Sequence, residues 1–271
     1  MNELLVPGPA LALGALLDVP VPDLDQGLPL LWHWIYLLDR PAQGDLGPDG
    51  HPIRNVTAVP PGPGRRRMWA GGRVRTLGPL RCGEPATRRS TVLSVRDKEG
   101  RSGPLTFVVV GHQIAQAGRV VVDEQQDIVY RDAAGTIAFG EEGPVVPAEE
   151  DEWSVEITPT LLFRFSALTY NAHRIHYDRD YAREVEGYPG LLTHGPLQAL
   201  AMAEAARKLD WSGPTLYEYR LLAPLFDHQG MVVRAVPDGQ SVVTTVRDIH
   251  GRPTATGTLR PLEDQAEQVS W

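Results

Sequence analysis

The feature that most constrains this chain is a pattern that occurs twice, a short apolar segment followed by four segments rich in β-branched residues. In the first half, residues 29–38 are apolar enough to predict a buried helix, and in the second half residues 195–209 are Ala- and Leu-rich and predict another. Turn residues separate the strand candidates, which are residues 68–76, 86–95, 105–114, 119–130, 215–222, 231–236, 241–248 and 253–260. A helix that is apolar all round must be covered on every side.

A curved antiparallel sheet can cover such a helix, so the repeat predicts an α+β fold made of two hotdog units in tandem. Each half would be a central helix wrapped by a curved antiparallel sheet. Residues 141–156 contain seven Asp or Glu side chains, two prolines and no Lys or Arg, which is typical of a solvated linker. This segment divides the chain into an N-terminal unit, residues 1–140, and a C-terminal unit, residues 157–271.

Composition narrows the class of protein. A length of 271 residues is ample for a hydrophobic core without disulfide or metal support. The net charge of −8 argues against non-specific binding to nucleic acid. The single cysteine, Cys82, excludes an intramolecular disulfide and fits a reducing compartment. No apolar stretch approaches the roughly 20 residues of a membrane helix, and no basic segment precedes the apolar N-terminal run. We therefore expect a cytoplasmic protein with no membrane partner.

The densest run of chemically active side chains is residues 165–178, with the sequence FSALTYNAHRIHYD. It contains Asn171 and the histidine pair His173 and His176, and a third histidine, His194, lies directly before the second predicted helix. Histidine is the side chain whose ordinary pKa lies nearest to neutral pH, so this grouping favours acid–base catalysis.

This run resembles the hydratase motif of the MaoC-like, R-specific enoyl-CoA hydratases. Phe165 stands at the aromatic position of that motif, Thr169 at its Ser, and His176 at its catalytic His. Residues 192–197, LTHGPL, resemble the His-Gly segment that begins the central helix of the family.

The front half resembles one branch of that family, the two-hotdog hydratases and dehydratases. This branch includes the mesaconyl-C4-CoA and itaconyl-CoA hydratases and the type 2 hydroxyacyl-thioester dehydratases. The resemblance is carried by residues 31–34, 46–52 and 66–73, so with the second half it covers nearly the whole chain. It implies a double-hotdog hydro-lyase that reversibly hydrates an enoyl-CoA thioester, with mesaconyl-C4-CoA or itaconyl-CoA as the expected substrate type.

One departure from the general motif affects the mechanism. The family has an Asp five residues before the catalytic His, and this chain has Asn171 there. A carboxylate can take a proton from water, whereas a carboxamide cannot. The two-hotdog branch shares the variant Asn-x-His-Arg-Ile-His-Tyr-Asp, so the change is compatible with activity.

Hydration of an enoyl thioester requires deprotonation of water, protonation of the α-carbon and stabilisation of the thioester oxygen. We expect His176 to transfer the proton and the carbonyl of Asn171 to hold the water. The backbone N–H of Gly195, at a helix N-terminus, would donate to the thioester oxygen. Asp178 and His194 are open as further acid–base groups.

Several residues are candidates for substrate binding. Arg174, beside the motif, would hold the free carboxylate of the acyl group, with Thr169 and His194 as additional contacts. Residues 65–101 contain eleven basic and three acidic side chains. We expect Arg66 and Arg67 in this block to bind phosphates of CoA or of a carrier-protein arm, because the guanidinium fork matches phosphate.

Alternatives stay open at this stage. One is a dehydratase of 3-hydroxyacyl-carrier protein or 3-hydroxyacyl-CoA, and another is a non-catalytic acyl-thioester-binding hotdog protein, which the Asn171 departure motivates. His173 and His176, with His194 or Asp178, lack the usual zinc-ligand spacing, so we expect no metal and no organic cofactor. The expected partners are an acyl-CoA or acyl carrier protein and a second copy of the chain in a homodimer.

Overall fold

The computed structural model describes residues 1–57, 65–100, 103–132, 142–209 and 213–262. These ranges contain one antiparallel sheet of ten strands. The strands are β1 Asn2–Leu4, β2 Arg65–Thr76, β3 Pro85–Gly100, β4 Gly103–Gln116, β5 Arg119–Asp132, β6 Trp153–Val155, β7 Thr215–Leu221, β8 Met231–Asp238, β9 Ser241–Arg247 and β10 Pro253–Pro261. The helices are α1 Pro7–Leu17, α2 Pro159–Leu168 and α3 Gly195–Arg207.

The strands follow the order β1-β3-β4-β5-β2-β7-β10-β9-β8-β6, so the front and back halves share one sheet. They join where Gly71–Thr76 of β2 pair antiparallel with Thr215–Arg220 of β7. All eight predicted strands are confirmed, and the structure adds β1 and β6. The architecture is therefore the predicted tandem hotdog.

The segment predicted to be a linker is only partly irregular. Residues 142–152 contain no helix or strand, but β6 lies inside the predicted segment and pairs with β8. The predicted boundary at residues 140 and 141 lies outside the described residues. The division into units of residues 1–140 and 157–271 stays a prediction.

The central helix of the back half is confirmed. α3 begins at Gly195, as predicted, and contacts β2, β8, β9 and β10. Ten consecutive residues of this helix, Leu197–Ala206, are buried. A helix buried over its whole surface is what the Ala- and Leu-rich sequence predicts, because it offers no polar face to solvent.

The prediction of a helix over residues 29–38 is wrong. Only Trp32–Ile35 form a short 3-10 turn, and the helix of the front half is instead α1. The polar groups of the segment bond to distant residues rather than to one another. The indole N–H of Trp32 donates to Glu204 (2.7 Å), the hydroxyl of Tyr36 to the carbonyl oxygen of Val6 (2.8 Å), and the amide of Leu37 to Glu3 (2.7 Å). Burial alone therefore did not require a helix here.

A small apolar cluster on β4 and β5 is separate from the main core and consists of Val108, Val110, Ile128 and Tyr130. The main core gathers α1, α3 and the Trp32–Ile35 turn with strands from both halves of the sheet. Among the described residues, residues 65–70 of β2 pair with β5 only. Within the described ranges, no helix is long and apolar enough to cross a membrane.

Candidate active site

A cavity of about 930 Å³ lies between the front and back halves. Its front wall comes from β2, β4, β5, the Trp32–Ile35 turn and the loop of residues 46–57, and its back wall comes from α2, residues 169–177 and the start of α3. The predicted site residues in its wall are Thr169, Asn171, His176, Gly195 and Arg67. Those that do not line it are Arg174, His194 and Arg66.

His176 is fixed as a neutral imidazole. Its Nδ1 lies 2.7 Å from the backbone oxygen of Leu192, which can only accept, so Nδ1 carries the proton and Nε2 keeps a free lone pair. Burial lowers the pKa of His176 to about 3. The hydrogen bond to the Leu192 carbonyl raises the pKa, and the charge of His51 lowers it further. A neutral imidazole with a free nitrogen in a cavity wall is suited to accept a proton from water.

His194 lies behind His176 and not in the cavity wall. The two rings stack with centroids 3.6 Å apart and planes 18° from parallel. The Nε2 of His194 lies 2.8 Å from the Ser166 hydroxyl, and its Nδ1 has no hydrogen-bond partner among the described residues. His194 was predicted to contact substrate, and the structure buries it fully and outside the cavity wall.

His51, from the front half, completes a row of histidines that the motif analysis missed. The ring of His173 is perpendicular to His176 at 5.4 Å and lies 3.9 Å from the ring of His51. The Nδ1 of His51 is 3.4 Å from a carboxylate oxygen of Asp49. Burial lowers the pKa of His51, and the charge of Arg67 assists. The Asp-x-His spacing in residues 46–52 was the available signal, but it could not show which histidine it would meet.

The loop that carries His51 docks directly on the motif. The backbone N–H of Arg174 donates to Asp49 O (2.8 Å), and its guanidinium donates to Pro48 O (3.0 Å). Gly50 has φ +87°, and a Cβ there would lie 1.9 Å from the carbonyl oxygen of Ala172. The glycine is needed because neither the backbone conformation nor the space accepts a side chain.

Arg174, which was predicted to hold a substrate carboxylate, lies outside the cavity wall and is paired with Asp178. Its Nε and Nη2 bond to Asp178 Oδ2 at 3.0 and 2.8 Å, and its guanidinium lies 4.0 Å from the ring centre of Tyr181. These contacts, together with Pro48, hold the guanidinium outside the cavity wall. They also remove Asp178 from the set of candidate acid–base groups.

Asn171 and Thr169 reach the cavity with part of their hydrogen-bonding capacity already used. The side-chain oxygen of Asn171 accepts from His173 N–H (3.0 Å). The hydroxyl of Thr169 donates to Phe165 O (2.8 Å) at the end of α2. The carbonyl oxygen of Asn171, which we expected to hold water, has one of its two acceptor sites used by the backbone, and its amide N–H₂ is also left for a ligand.

Gly195 lines the cavity, and its backbone N–H has no hydrogen-bond partner among the described residues. The N–H groups of Leu197 and Gln198 bond to His194 O at 3.1 and 3.3 Å, and Pro196 has no N–H. Gly195 N–H is therefore the first-turn donor of α3 that remains for a ligand, at the positive end of the helix dipole. This geometry suits an oxyanion or a polarised thioester oxygen.

Neither predicted phosphate-binding arginine is placed on an open surface. Arg66 forms an ion pair with Glu186 (Nε–Oε2 2.7 Å), with both side chains largely buried, and lies outside the cavity wall. Arg67 lines the cavity with its guanidinium over the ring of Trp69, 6.0 Å from the ring centre. The structure therefore separates two neighbours that the sequence treated alike.

The opposite wall holds a second polar cluster, which we did not predict. The carboxylate of Glu124 accepts from Trp34 Nε1 and Gln126 Nε2, both at 2.8 Å, and lies 3.0 Å from His33 Nε2. Burial raises the pKa of Glu124, but the hydrogen bond from His33 and its charge outweigh this and hold the pKa well below its usual range. Glu124 is therefore ionised and fully occupied by its neighbours.

The zinc grouping considered from the sequence does not form, because Asp178 is bound to Arg174 and His194 to Ser166. A different trio, Asp49, His51 and His173, offers one possible ligand atom each within 4.8 Å of one another. A small cation would fit there. The contact between His51 and Asp49 explains why these side chains are close together even without a bound cation. The absence of a metal stays a prediction.

The buried histidines predict loss of stability on acidification. Burial lowers the pKa of His176 from 6.5 to about 3, so below pH 6.5 the unfolded chain takes up a proton that the folded chain does not. The folded state loses ~1.4 kcal/mol per pH unit between these values from this group alone. We expect the Tm to fall from pH 7.5 to 5.5, and to fall less in His176→Gln. An equal slope in wild type and variant would contradict this.

The fold and this cavity place the chain among the MaoC-like double-hotdog proteins, and it is a hydro-lyase of the thioester hydratase and dehydratase class. The profile of the hydroxyacyl-thioester dehydratase type 2 family matches residues 31–227, and the chain belongs to that family.

One curated relative supports this assignment over most of its length, and a second matches over a shorter stretch. The chain is 43% identical over 253 residues to mesaconyl-C(4)-CoA hydratase of Chloroflexus aurantiacus. The matched region covers 92% of this chain and 90% of that protein. It is 39% identical over 83 residues to the mitochondrial hydroxyacyl-thioester dehydratase type 2 of Schizosaccharomyces pombe, covering 30% of this chain and 28% of that protein.

Solved structures support the fold. HtdX of Mycobacterium tuberculosis has a TM-score of 0.69 at 16% identity and covers 96% of this chain and 97% of its own. A MaoC-like dehydratase of Phytophthora capsici has a TM-score of 0.64 at 17% identity, covering 97% and 95%. A further Mycobacterium tuberculosis protein, described as a double hotdog, has a TM-score of 0.54 at 15% identity, covering 96% and 92%.

Proposed function

We propose that this protein reversibly hydrates mesaconyl-C4-CoA, a short enoyl thioester with a carboxylate on its β-carbon. The observation that carries the proposal is the neutral His176 with a free Nε2 in the wall of a cavity that also presents Gly195 N–H. The Chloroflexus aurantiacus hydratase supports the substrate, and its name favours the mesaconyl over the itaconyl compound.

In the proposed reaction, His176 Nε2 takes a proton from water as the water oxygen bonds to the β-carbon. The electron pair of the C=C bond moves towards the α-carbon and the thioester oxygen, where Gly195 N–H donates to the developing charge. The α-carbon then takes the proton from His176, which returns to its neutral form. Water is thereby added across the double bond, and the enzyme is unchanged.

The carboxylate that residue 171 lacks has a counterpart in the front half. Asp49 lies beside His51, and His51 lines the cavity near His173. Although burial raises the pKa of Asp49, its hydrogen bonds with His51 lower it overall, so the carboxylate is ionised and stabilises a proton on the imidazole. The pair therefore supplies a second group that can carry a proton during the reaction.

Replacing Asp49 with Asn tests that contribution. We expect Asp49→Asn to lower kcat by about 10-fold or more with little change in KM, because the amide cannot stabilise a charged imidazole. Steady-state rates on mesaconyl-C4-CoA measure this, with Asp25→Asn on the surface as the matched control. Wild-type kcat in Asp49→Asn would show that the pair has no part in proton transfer.

The function itself is tested by following the loss of enoyl-thioester absorbance when purified protein is mixed with mesaconyl-C4-CoA. We expect hydration of this substrate and weaker hydration of enoyl-CoAs that lack the second carboxylate. A protein that turned over no enoyl-CoA but bound it would be the non-catalytic thioester-binding protein instead.

A second candidate function is dehydration of 3-hydroxyacyl thioesters carried on CoA or on carrier protein. The family profile and the Schizosaccharomyces pombe match favour it, and the same site would catalyse the reverse reaction. Faster turnover of a plain 3-hydroxyacyl thioester than of the dicarboxylic substrate would establish this alternative.

We place the protein in the cytoplasm as a homodimer that needs no metal or organic cofactor. The buried free thiol of Cys82 supports a reducing compartment. Light scattering after size-exclusion chromatography measures the assembly directly, and a mass of one chain would exclude the dimer. Undiminished activity after dialysis against a chelator would support a metal-free reaction.

A further inference from the structure

Arg67 is an arginine of the cavity wall for which the described residues provide no carboxylate partner. Its guanidinium lies over the ring of Trp69, which is itself held by a 2.9 Å hydrogen bond from Trp69 Nε1 to the hydroxyl of Tyr219. A partly buried cation on a fixed aromatic platform, facing a cavity, is arranged to receive an anion.

The neighbouring arginines are engaged elsewhere. Arg66 is paired with Glu186, and Arg88, in the cavity wall, is paired with Asp39 at 2.6 Å. Arg131, also in the wall, donates to the hydroxyl of Tyr188. Burial raises the pKa of that hydroxyl, and the bond from Arg131 lowers it by a smaller amount. Of these four arginines, Arg67 is the one whose contact among the described residues is to an aromatic ring and not to a carboxylate or a hydroxyl.

Arg67 also lies on the correct side of the cavity. Arg67 lines the same cavity as His51 and His173. After burial, its charge is among the causes that lower the pKa of both histidines. Arg174, our original candidate for the carboxylate, lies outside the wall and is bound to Asp178.

The chemistry of the substrate favours a cation in the same cavity as the base. In mesaconyl-C4-CoA the carboxylate is attached to the β-carbon, the same carbon that water attacks. The group that binds the carboxylate must therefore lie a few ångströms from the base. A nearby positive charge also reduces the repulsion between that carboxylate and the oxygen that attacks the carbon.

We propose that Arg67 binds the free carboxylate of the acyl group, so that the site selects enoyl thioesters with a carboxylate on the β-carbon over their methyl analogues. This inference rests on the proposed function, because it assigns the substrate class of the same cavity. It replaces the predicted role of Arg67 in binding CoA phosphates.

Binding of unreactive thioesters tests the proposal without turnover. Succinyl-CoA carries a carboxylate at the required carbon and has no double bond, and butyryl-CoA is its methyl analogue. We expect wild type to prefer succinyl-CoA, and Arg67→Gln to weaken succinyl-CoA binding by about 10–100-fold with little effect on butyryl-CoA. Arg67→Lys, which keeps the charge but loses the fork, would show an intermediate loss.

The controls separate charge from position. Arg119→Gln, at the exposed first residue of β5, removes the same charge outside the cavity wall and should leave both dissociation constants unchanged. Titration calorimetry provides the constants, and circular dichroism confirms the fold of each variant.

Three results would overturn the assignment: no preference of wild type for succinyl-CoA, equal weakening of both ligands in Arg67→Gln, or loss of the preference in Arg131→Gln but not in Arg67→Gln. The reaction is assayed separately, with mesaconyl-C4-CoA and its methyl analogue 3-methylcrotonyl-CoA. Carboxylate-dependent binding without turnover would leave Arg67 as assigned and remove the hydratase function.

Discussion

Replacing His176 with Gln should lower kcat for hydration by about 10²–10⁴-fold, the range that a positioned acid–base group contributes. Glutamine can still donate to the Leu192 carbonyl from the buried position, but its amide cannot take a proton from water. The fold should persist, because glutamine is of similar size and keeps the hydrogen bond to the Leu192 carbonyl. The measurement is kcat on mesaconyl-C4-CoA together with the melting temperature.

The matched control is His228→Gln, since His228 lies in the turn before β8 with its side chain 40% exposed. It should retain wild-type kcat. Wild-type activity in His176→Gln would contradict the proposed mechanism and would move the proton transfer to His51. If His176→Gln loses both activity and stability, His176→Asn separates the two effects. This variant also lacks a base, and its smaller side chain should fit the buried position.

Replacing Gly50 with Ala should disturb the contact between the two halves on which the site depends. The new Cβ would meet the Ala172 carbonyl oxygen at 1.9 Å, so the backbone of the loop or of the motif must move. The positive φ adds a further cost of about 1–2 kcal/mol for a residue with a side chain. We expect destabilisation of ~2 kcal/mol or more and a Tm lower by about 4–8 °C.

The same change should lower activity beyond its effect on stability, because it moves His51 away from His173. Gly44→Ala is the control in the same loop, since nothing lies within 4 Å of the added Cβ and its φ is not positive. Both variants are compared by differential scanning calorimetry and by kcat at a temperature where each is folded. Equal Tm values for the two variants would show that the loop is not docked as described.

Periodic elements were predictable because their signals are local. The eight strands and α3 follow from β-branched runs, turn residues and an Ala- and Leu-rich segment that begins at Gly195. The prediction of a helix over residues 29–38 was wrong because the conformation of this segment depends on distant contacts. Its apolar side chains are buried, but Tyr36 and Leu37 bond to residues near the N-terminus, which local patterning does not reveal.

The candidate site divides in the same way. The motif identified His176, Asn171 and Gly195 as residues of the cavity wall, and its spacing explains their approach. The motif could not show that Arg174 points to Asp178, or that Arg67 rather than Arg66 reaches the cavity. The direction of a side chain depends on what packs beside it, and a single sequence does not contain that partner.

The sequence by itself therefore predicted the double-hotdog architecture, the family and His176 as the candidate base. The architecture follows from hydrophobic periodicity, and the family and His176 were implied by the resemblance of motifs whose residues are close together in the chain. Only the tertiary structure brought Asp49 and His51 to a motif more than a hundred residues away, and set Arg67 in the wall of the same cavity. The physical reason is that the docking of the 46–52 loop depends on backbone contacts with residues 172 and 174, such as the glycine-sized space at Gly50, which appear only when both halves are folded together.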